Sequence, residues 1–535
     1  MRRPLAGLIL LSIVAAALAV GSVRLDSATS DEPAYIAAGM IKLLHGRLDF
    51  FRDQPPLMNS ISALPLVLAG YEMRPAWEIG GNHWAYGQRL LYISGYDAER
   101  MLLLARLPTI VLFIALAWVV YLFVAHHSGS RAWGVFAFAL TIFCPTLMAH
   151  GRLATVDLAV TFFCFTAAAL FVRLIEAPSA LIAIGVGIAS GAAVMSKTSG
   201  NLLGPYFVLL LVVALIGRKV ADRRRVLLLT VLAAVVAAGF IMALVLAEGS
   251  DRYIASNFPD TPRLLVPFAE YLENIRAIRS WYTRGAALPQ FLFGEFSRTS
   301  WWYYYPAAFL IKATIPAILL VVIAIGVMIR DRRVPFGALA AFLFVALFAG
   351  AAAAGELALG IRYVLPIFPF LYGAVAIVMA RAPRLAVAAT LLVIWHGAEN
   401  LRAYPSYISY FNQFIGSHRN ADRYLIDSNL DWGQDLRRLD RWLREKKIEE
   451  VVVHYFGGGA PQFDVSARVI GSYGAGGRPL PPGSWFALSR HFYRLSFAPS
   501  ISRENYDSYL RRSGARYVTT VGGSINIYRV EQKSN

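Results

Sequence analysis

The chain has 535 residues, 57% of them hydrophobic and 16% charged, with a mean hydropathy of +0.53. Soluble domains carry roughly a quarter charged residues. This deficit comes with many apolar stretches of about 18 residues or more, the length that crosses a hydrocarbon core, so an ordinary soluble fold is excluded. The formal net charge is +18, but its placement along the chain marks membrane topology and excludes nucleic acid as the partner.

In chain order, the hydropathy predicts eleven spans, near 5–24, 102–125, 132–149, 153–175, 180–197, 201–217, 226–247, 303–329, 335–355, 361–380 and 384–400. The first is read as an uncleaved span, because its apolar core is long and no small-residue cleavage site precedes Asp31-Glu32. With the N-terminus inside, the inner loops hold Arg2-Arg3, Arg131, Arg173, the run Arg218 to Arg225, the run Arg330 to Arg333, and Arg381 with Arg384. The short outer turns are nearly free of such clusters. This is the positive-inside pattern, with anionic headgroups of the inner leaflet as neighbours.

Three pieces then face outward. Residues 25–101 form a loop containing an apolar stretch, Pro56 to Gly70, too short to span and expected at the interface or re-entrant. Residues 248–302 form a second loop, ending in the aromatic run Trp301 to Tyr305 that suits a membrane interface. Residues 401–535 follow the 1–400 membrane domain as an extracytoplasmic tail. Strands are expected at Tyr424 to Asp427, Glu450 to Tyr455, Arg516 to Val521 and Ser524 to Val530, with helices at Trp432 to Lys446 and Tyr506 to Arg512. The fold class is therefore an all-α polytopic membrane protein of about eleven transmembrane helices with a small C-terminal α/β soluble domain. The two cysteines, Cys144 and Cys164, lie in apolar segments and read as small buried hydrophobes.

The chemistry lies in the charges at the membrane edge. Asp31 and Glu32 follow the first span; Arg152 and Asp157 lie between the third and fourth; Lys197 ends the fifth; Arg362 opens the tenth. All fall on the outer side. Charges near hydrocarbon tend to pair or to mark a functional site; cations there suit a phosphate, and a carboxylate suits a proton acceptor. Each also has a plainer reading. Ser30 to Pro33 is a good helix start, Arg152 and Asp157 are spaced for an ion pair, Lys197 can snorkel to headgroups, and Arg362-Tyr363 can be an interfacial anchor.

Asp-Glu-Pro-Ala-Tyr at 31–35 resembles the acidic motif of the membrane-embedded, lipid-carrier-dependent glycosyltransferases of the GT-C fold, which include the protein O-mannosyltransferases and the aminoarabinose transferase of lipid A. His150 to Asp157, Ser196-Lys197-Thr198 and Gly360 to Pro366 resemble their later motifs, in order, over most of residues 1–400. The tail segment Asp427 to Leu436 is similar to bacterial members of glycosyltransferase family 39. The loop at 248–302 is too short for the β-trefoil domain of the eukaryotic mannosyltransferases, and the span count is below the thirteen associated with the aminoarabinose transferase; both point to the bacterial branch.

The resemblance implies a polyprenyl phosphate or diphosphate sugar as donor, a lipid, glycan or protein acceptor, and a bacterial inner membrane with the N-terminus cytoplasmic. It implies Asp31 as base, Glu32 in an orienting part, and Asp157 holding Arg152 or binding sugar hydroxyls. Lys197 and Arg362, with Arg152 third, would receive the departing phosphate, with inversion at the anomeric carbon. No metal-ligand cluster stands out, and a divalent ion stays open as a cofactor. The competing reading is a transporter or flippase for a lipid-linked sugar, which favours broken helices and charges near the midplane.

Overall fold

The computed structural model describes residues 2–48, 50–73, 82–220, 222–249, 251–285, 289–471 and 474–531. Residues 49 and 74–81 of the first expected loop, and 250 and 286–288 of the second, lie outside the described residues. The chain opens with α1 (Arg2–Val23), followed by three short helices, α2 (Glu32–His45), α3 (Leu57–Leu68) and α4 (His83–Tyr92). Then come α5 (Ala98–Ser128), α6 (Arg131–Ile142), α7 (Pro145–His150), α8 (Val156–Glu176), α9 (Ala180–Ser196), α10 (Leu203–Ile216) and α11 (Arg223–Glu248). The second loop holds α12 (Asp251–Asn257), α13 (Val266–Gly285) and a hairpin of β1 (Gln290–Leu292) with β2 (Glu295–Ser297). The membrane part closes with α14 (Tyr304–Lys312), α15 (Ile315–Asp331), α16 (Phe336–Ala353), α17 (Ile367–Met379) and α18 (Ala386–Ala403).

All eleven apolar segments are helical, and the chain is a multi-pass membrane protein. Among the described residues six helices are long and apolar enough to cross on their own, or up to eight spans if each of two bent pairs counts as one. The segment expected as one span at 303–329 is broken: α14 and α15 meet at 116°. The break has a local cause. Pro316 sits in the first turn of α15, where its missing N–H is harmless, and Thr314 Oγ1 caps the Ala317 N–H. The segment at 132–149 likewise breaks at Cys144, because Pro145 begins α7. Between α17 and the segment 383–403 the chain turns through 112°.

In lipid, helices gain little from hydrophobic burial against one another, and close packing of small residues carries association. Gly187 and Gly191 bring α9 onto α11 in this way; a Cβ on Gly187 would stand 2.5 Å from the Ala233 carbonyl oxygen. Gly39 does the same for α2 and α3, where a Cβ would lie 2.0 Å from the Asn59 oxygen. The expected short apolar stretch at 56–70 is thus α3, a 12-residue helix folded onto α2. A core of α5, α6, α8, α16 and α17 fills with aromatic rings, Phe344 stacking on Phe370 at 3.7 Å between centroids.

The two ends of the bundle differ. At one end Glu176, closing α8, meets His126 and Arg173, and Arg381 pairs with Asp331. The other end carries the start of α8, the end of α9 and the tail. The tail folds α19 (Leu436–Glu445) over a five-stranded sheet of β3 (Glu450–His454), β4 (Arg468–Val469), β5 (Trp485–Ser489), β6 (Ala515–Val521) and β7 (Ile525–Val530), in the order β4-β3-β5-β7-β6. Strand β3 runs parallel to β5, and β5 antiparallel to β7. Leu436, Leu439 and Leu443 form the buried stripe of α19. The expected strand at 424–427 is not formed. Asp427 takes a positive φ of 58° and opens a 3-10 turn, Asp427–Asn429, instead. The central strand β5 was not expected from the sequence.

Candidate functional site

A cleft of about 220 Å³ opens where the start of α2, the end of α9, the 3-10 turn Ile361–Val364 and the tail segment 427–432 converge. Asp31, Lys197, Arg362, Tyr363, Asp427 and Trp432 are among its lining. Asp31 occupies the N-cap position of α2 but makes no capping bond with its side chain. Its carboxylate instead accepts from Arg362 Nη1 at 3.1 Å and from the Tyr35 hydroxyl at 3.3 Å. Asp157, in the first turn of α8 and fully buried, accepts from Lys197 Nζ at 2.6 Å and from Arg362 Nη1 at 3.4 Å.

Local backbone explains the two cations. Lys197 is an extended residue between α9 and the turn Thr198–Leu202, and it points inward with 8% of its side chain exposed. Its ammonium lies 4.3 Å from the Tyr363 ring centre. Arg362, in its own 3-10 turn, lies 4.3 Å over the Trp432 ring and donates through Nε to Ser428 Oγ at 3.2 Å. Such stacking favours a guanidinium over an ammonium. Nη2 of Arg362 makes no hydrogen bond among the described residues.

Four of the six expected residues, Asp31, Asp157, Lys197 and Arg362, therefore form one connected cluster. The other two lie behind it. Glu32 is buried and paired twice with Arg106, at 2.8 and 2.7 Å, and also accepts the N–H groups of Thr29 and Ala154. Arg152 is buried against Asp26 and does not meet Asp157. Asp26 also takes Arg438 at 2.6 Å; Arg438 pairs with Asp435, and Asp435 accepts from Ser524. A line of buried charge thus runs from the back of the cleft into the tail domain.

Electrostatics separate the two groups. Burial pushes the Asp31 carboxyl above the ordinary range, and the nearby Asp157 and Asp427 add to this against the pull of Arg362. Asp53, also in the cleft lining, is raised by burial and by Asp31. For Glu32 and Asp26, burial is again the largest influence, but the guanidinium groups around them outweigh it and hold both below the ordinary range. The surroundings of Asp31 thus favour its protonated form, and those of Glu32 and Asp26 their charged forms.

No family model matches the chain, and no curated protein matches it. Among solved structures it is similar to ArnT from Cupriavidus metallidurans bound to undecaprenyl phosphate, with 12% identity, 98% of each chain covered and a TM-score of 0.49. It is also similar to the Archaeoglobus fulgidus oligosaccharyltransferase in the apo form, with 14% identity over 82% of this chain and 58% of that one, at a TM-score of 0.44. A complex of the oligosaccharyltransferase AglB from the same organism with an inhibitory peptide and a dolichol-phosphate gives 12% identity, 98% and 74% coverage, and a TM-score of 0.43.

Several residues that shape the cleft were not singled out from sequence. Arg106 sits inside an expected span, and a lone arginine there was a legible signal. The residues of the tail segment 427–436 do not by themselves reveal a role. The fold supplies one: Asn429 Oδ1 accepts the Ile361 N–H at 2.9 Å, Trp432 O accepts from Ser30, and Gln434 O accepts from Ser27. The segment thereby fixes both cleft-forming stretches to the tail. Among the described residues, His126, His127 and Glu176 are grouped closely enough to hold a metal, but at the far end of α8 from Asp157.

Proposed function

We propose that this protein is an inverting glycosyltransferase that moves a sugar from a polyprenyl phosphate carrier to an acceptor hydroxyl or phosphate on the side of the membrane bearing the tail domain. The observation that carries the reading is Arg362 held between Asp31 and Asp157 in a cleft that also admits Lys197. Asp31 takes the proton from the acceptor as its oxygen attacks the anomeric carbon. The bond from that carbon to the phosphate oxygen breaks, and the electron pair leaves on the phosphate. Arg362 and Lys197 lie where they can neutralise that charge, which is the costly event in a displacement with a phosphate leaving group. Asp157 orients both cations, while Glu32 and Arg152 hold the walls.

The charged groups converge at one end of the helices, which suits transfer at a membrane face better than passage across it. In this reading residues 1–400 carry the chemistry and 401–535 complete one wall of the cleft. The motif resemblance implies a bacterial inner membrane, and the distribution of Lys and Arg supports a cytoplasmic N-terminus and an extracytoplasmic tail. The test is incubation of the purified protein with a polyprenyl phosphate sugar and extracted membrane lipids. Release of the free carrier phosphate with sugar on an acceptor is expected. Carrier movement across vesicles with no sugar transferred would overturn the assignment in favour of transport.

A further inference from the structure

A second cavity, of about 310 Å³, lies on the other side of the segment that walls the cleft: Asp427 and Trp432 face the cleft, while Leu430 faces this cavity. That volume is in the range of small-ligand sites, about 300–1,000 Å³. Its lining includes two arginines, Arg402 and Arg490, with His418, and contains no carboxylate. Arg490 is 3% exposed. It donates through Nη1 and Nη2 to the carbonyls of His418, Arg419 and Gly523 and to Asp422, so it lends positive charge to the cavity wall while Arg402, 60% exposed, carries the donors open to a ligand.

Each arginine has one acid beside it, and each of those acids is shared with further donors. Asp422 is shared between Arg490 and Arg494. Glu399 accepts from Gln413 at 2.6 Å, and from Trp395 and Tyr410 at 3.3 Å, and its ion pair with Arg402 is long, at 3.8 Å, leaving 60% of the arginine side chain exposed. The cavity is therefore a cationic and hydroxyl-rich site.

Its position selects the anion. Arg402 lies at the end of α18, whose Val387, Leu391, Ile394 and Leu401 are exposed at helical spacing, an apolar stripe suited to acyl chains. Tyr404, 40% exposed, caps the helix at the head of the stripe as interfacial aromatics do. We infer that the cavity of Arg402 and Arg490 binds the phosphate headgroup of an anionic glycerophospholipid whose chains lie along α18, a lipid site separate from the cleft.

The experiment is a binding titration of the purified full-length protein in detergent with short-chain phosphatidylglycerol, phosphatidylcholine and inorganic phosphate. Phosphatidylglycerol is expected to bind more tightly than phosphatidylcholine. Arg402→Gln should weaken it about tenfold, the scale of one charge-assisted hydrogen bond. Arg402→Lys should recover most of the affinity, and Arg330→Gln, at the other end of the bundle, should change nothing. Equal affinity for the two lipids, or an Arg402→Gln variant that binds as the parent does, would overturn the inference. So would inorganic phosphate binding as tightly as phosphatidylglycerol, since that makes the cavity a free-anion site. None of these readouts depends on sugar transfer, so the outcome is separate from that of the proposed activity.

Discussion

Arg362 reaches Asp31 across 331 positions of sequence, Nη1 to Oδ2 at 3.1 Å. The contact joins the start of α2 to the turn before α17. Because the same nitrogen lies 3.4 Å from Asp157, one guanidinium holds two carboxylates from separate helices. Removing a buried partner leaves the other charge uncompensated, at a cost of roughly 3–5 kcal/mol. Substitutions in the cleft therefore need variants that keep charge or shape.

Asp31→Asn keeps the size of the side chain and a hydrogen-bond acceptor for Arg362. Sugar transfer is expected to fall by about 10²-fold or more with donor affinity near the parent value. Single-turnover transfer measured beside donor binding separates the two. Because burial raises the Asp31 carboxyl, the parent rate should fall away on acidification above the pH range of an ordinary carboxylate. A parent-like rate in Asp31→Asn would move the base to another group.

Arg362→Lys retains a cation between Asp31 and Asp157 but loses the planar fork stacked on Trp432 and the bond to Ser428. The fold should survive, and affinity for the polyprenyl phosphate sugar should drop about tenfold. Lys197→Ala should weaken donor use as well, with an added loss of stability because Asp157 loses its 2.6 Å partner. Donor titration together with thermal unfolding reads both effects. Unchanged donor affinity in both variants would place the phosphate elsewhere.

Glu32→Gln tests the buried pair behind the cleft. Glu32 and Arg106 are 0% and 1% exposed, and Arg106 also donates to the carbonyls of Val23, Asp26 and Ser27. The variant leaves a buried guanidinium without its countercharge, so stability should fall by about 3 kcal/mol or more, while turnover per folded molecule stays within a few-fold. A large loss of turnover at unchanged stability would give Glu32 a direct part in the reaction.

Much of this cluster was legible because membrane topology sorts charges by side. Asp31, Asp157, Lys197 and Arg362 each end or begin an apolar run, and alternation puts those ends at one face. What alternation does not fix is rotation about each helix. Arg152 and Asp157 are close in sequence, yet Arg152 precedes α8 and turns to Asp26 while Asp157 turns to Lys197. Glu32 follows Asp31 on a helix, so it faces away from Arg362 and meets Arg106. The tail was less legible. β5 has five residues, Trp485–Ser489, without polar alternation, although Pro481-Pro482-Gly483 marks a turn just before it. Asp427 read as strand because its left-handed conformation answers to tertiary contacts, with its N–H donating to His491 Nδ1.

The tail should carry its own pH dependence through Asp431. This carboxyl accepts from Ser489 Oγ, from the His491 N–H at 3.1 Å and from the Gly433 N–H at 3.2 Å. Burial nevertheless pushes its pKa up to about 7. An unfolded aspartate titrates near ~3.9. Between those values the folded protein holds a proton that the unfolded chain has released, so stability falls as pH rises through this window. The contribution is present in full below about pH 4 and is lost as the pH rises through about 7. Asp431→Asn removes the titration. Thermal unfolding of both proteins between pH 4 and pH 8 reads the difference, which isolates this residue from the other groups that titrate there. The parent is expected to lose stability relative to Asp431→Asn up to about pH 7, with no further divergence above it. Since Asp431 precedes Trp432 in the wall of the cleft, donor affinity should weaken over the same interval in the parent alone. Parallel stability curves for the two proteins would show that Asp431 stays ionised in the fold.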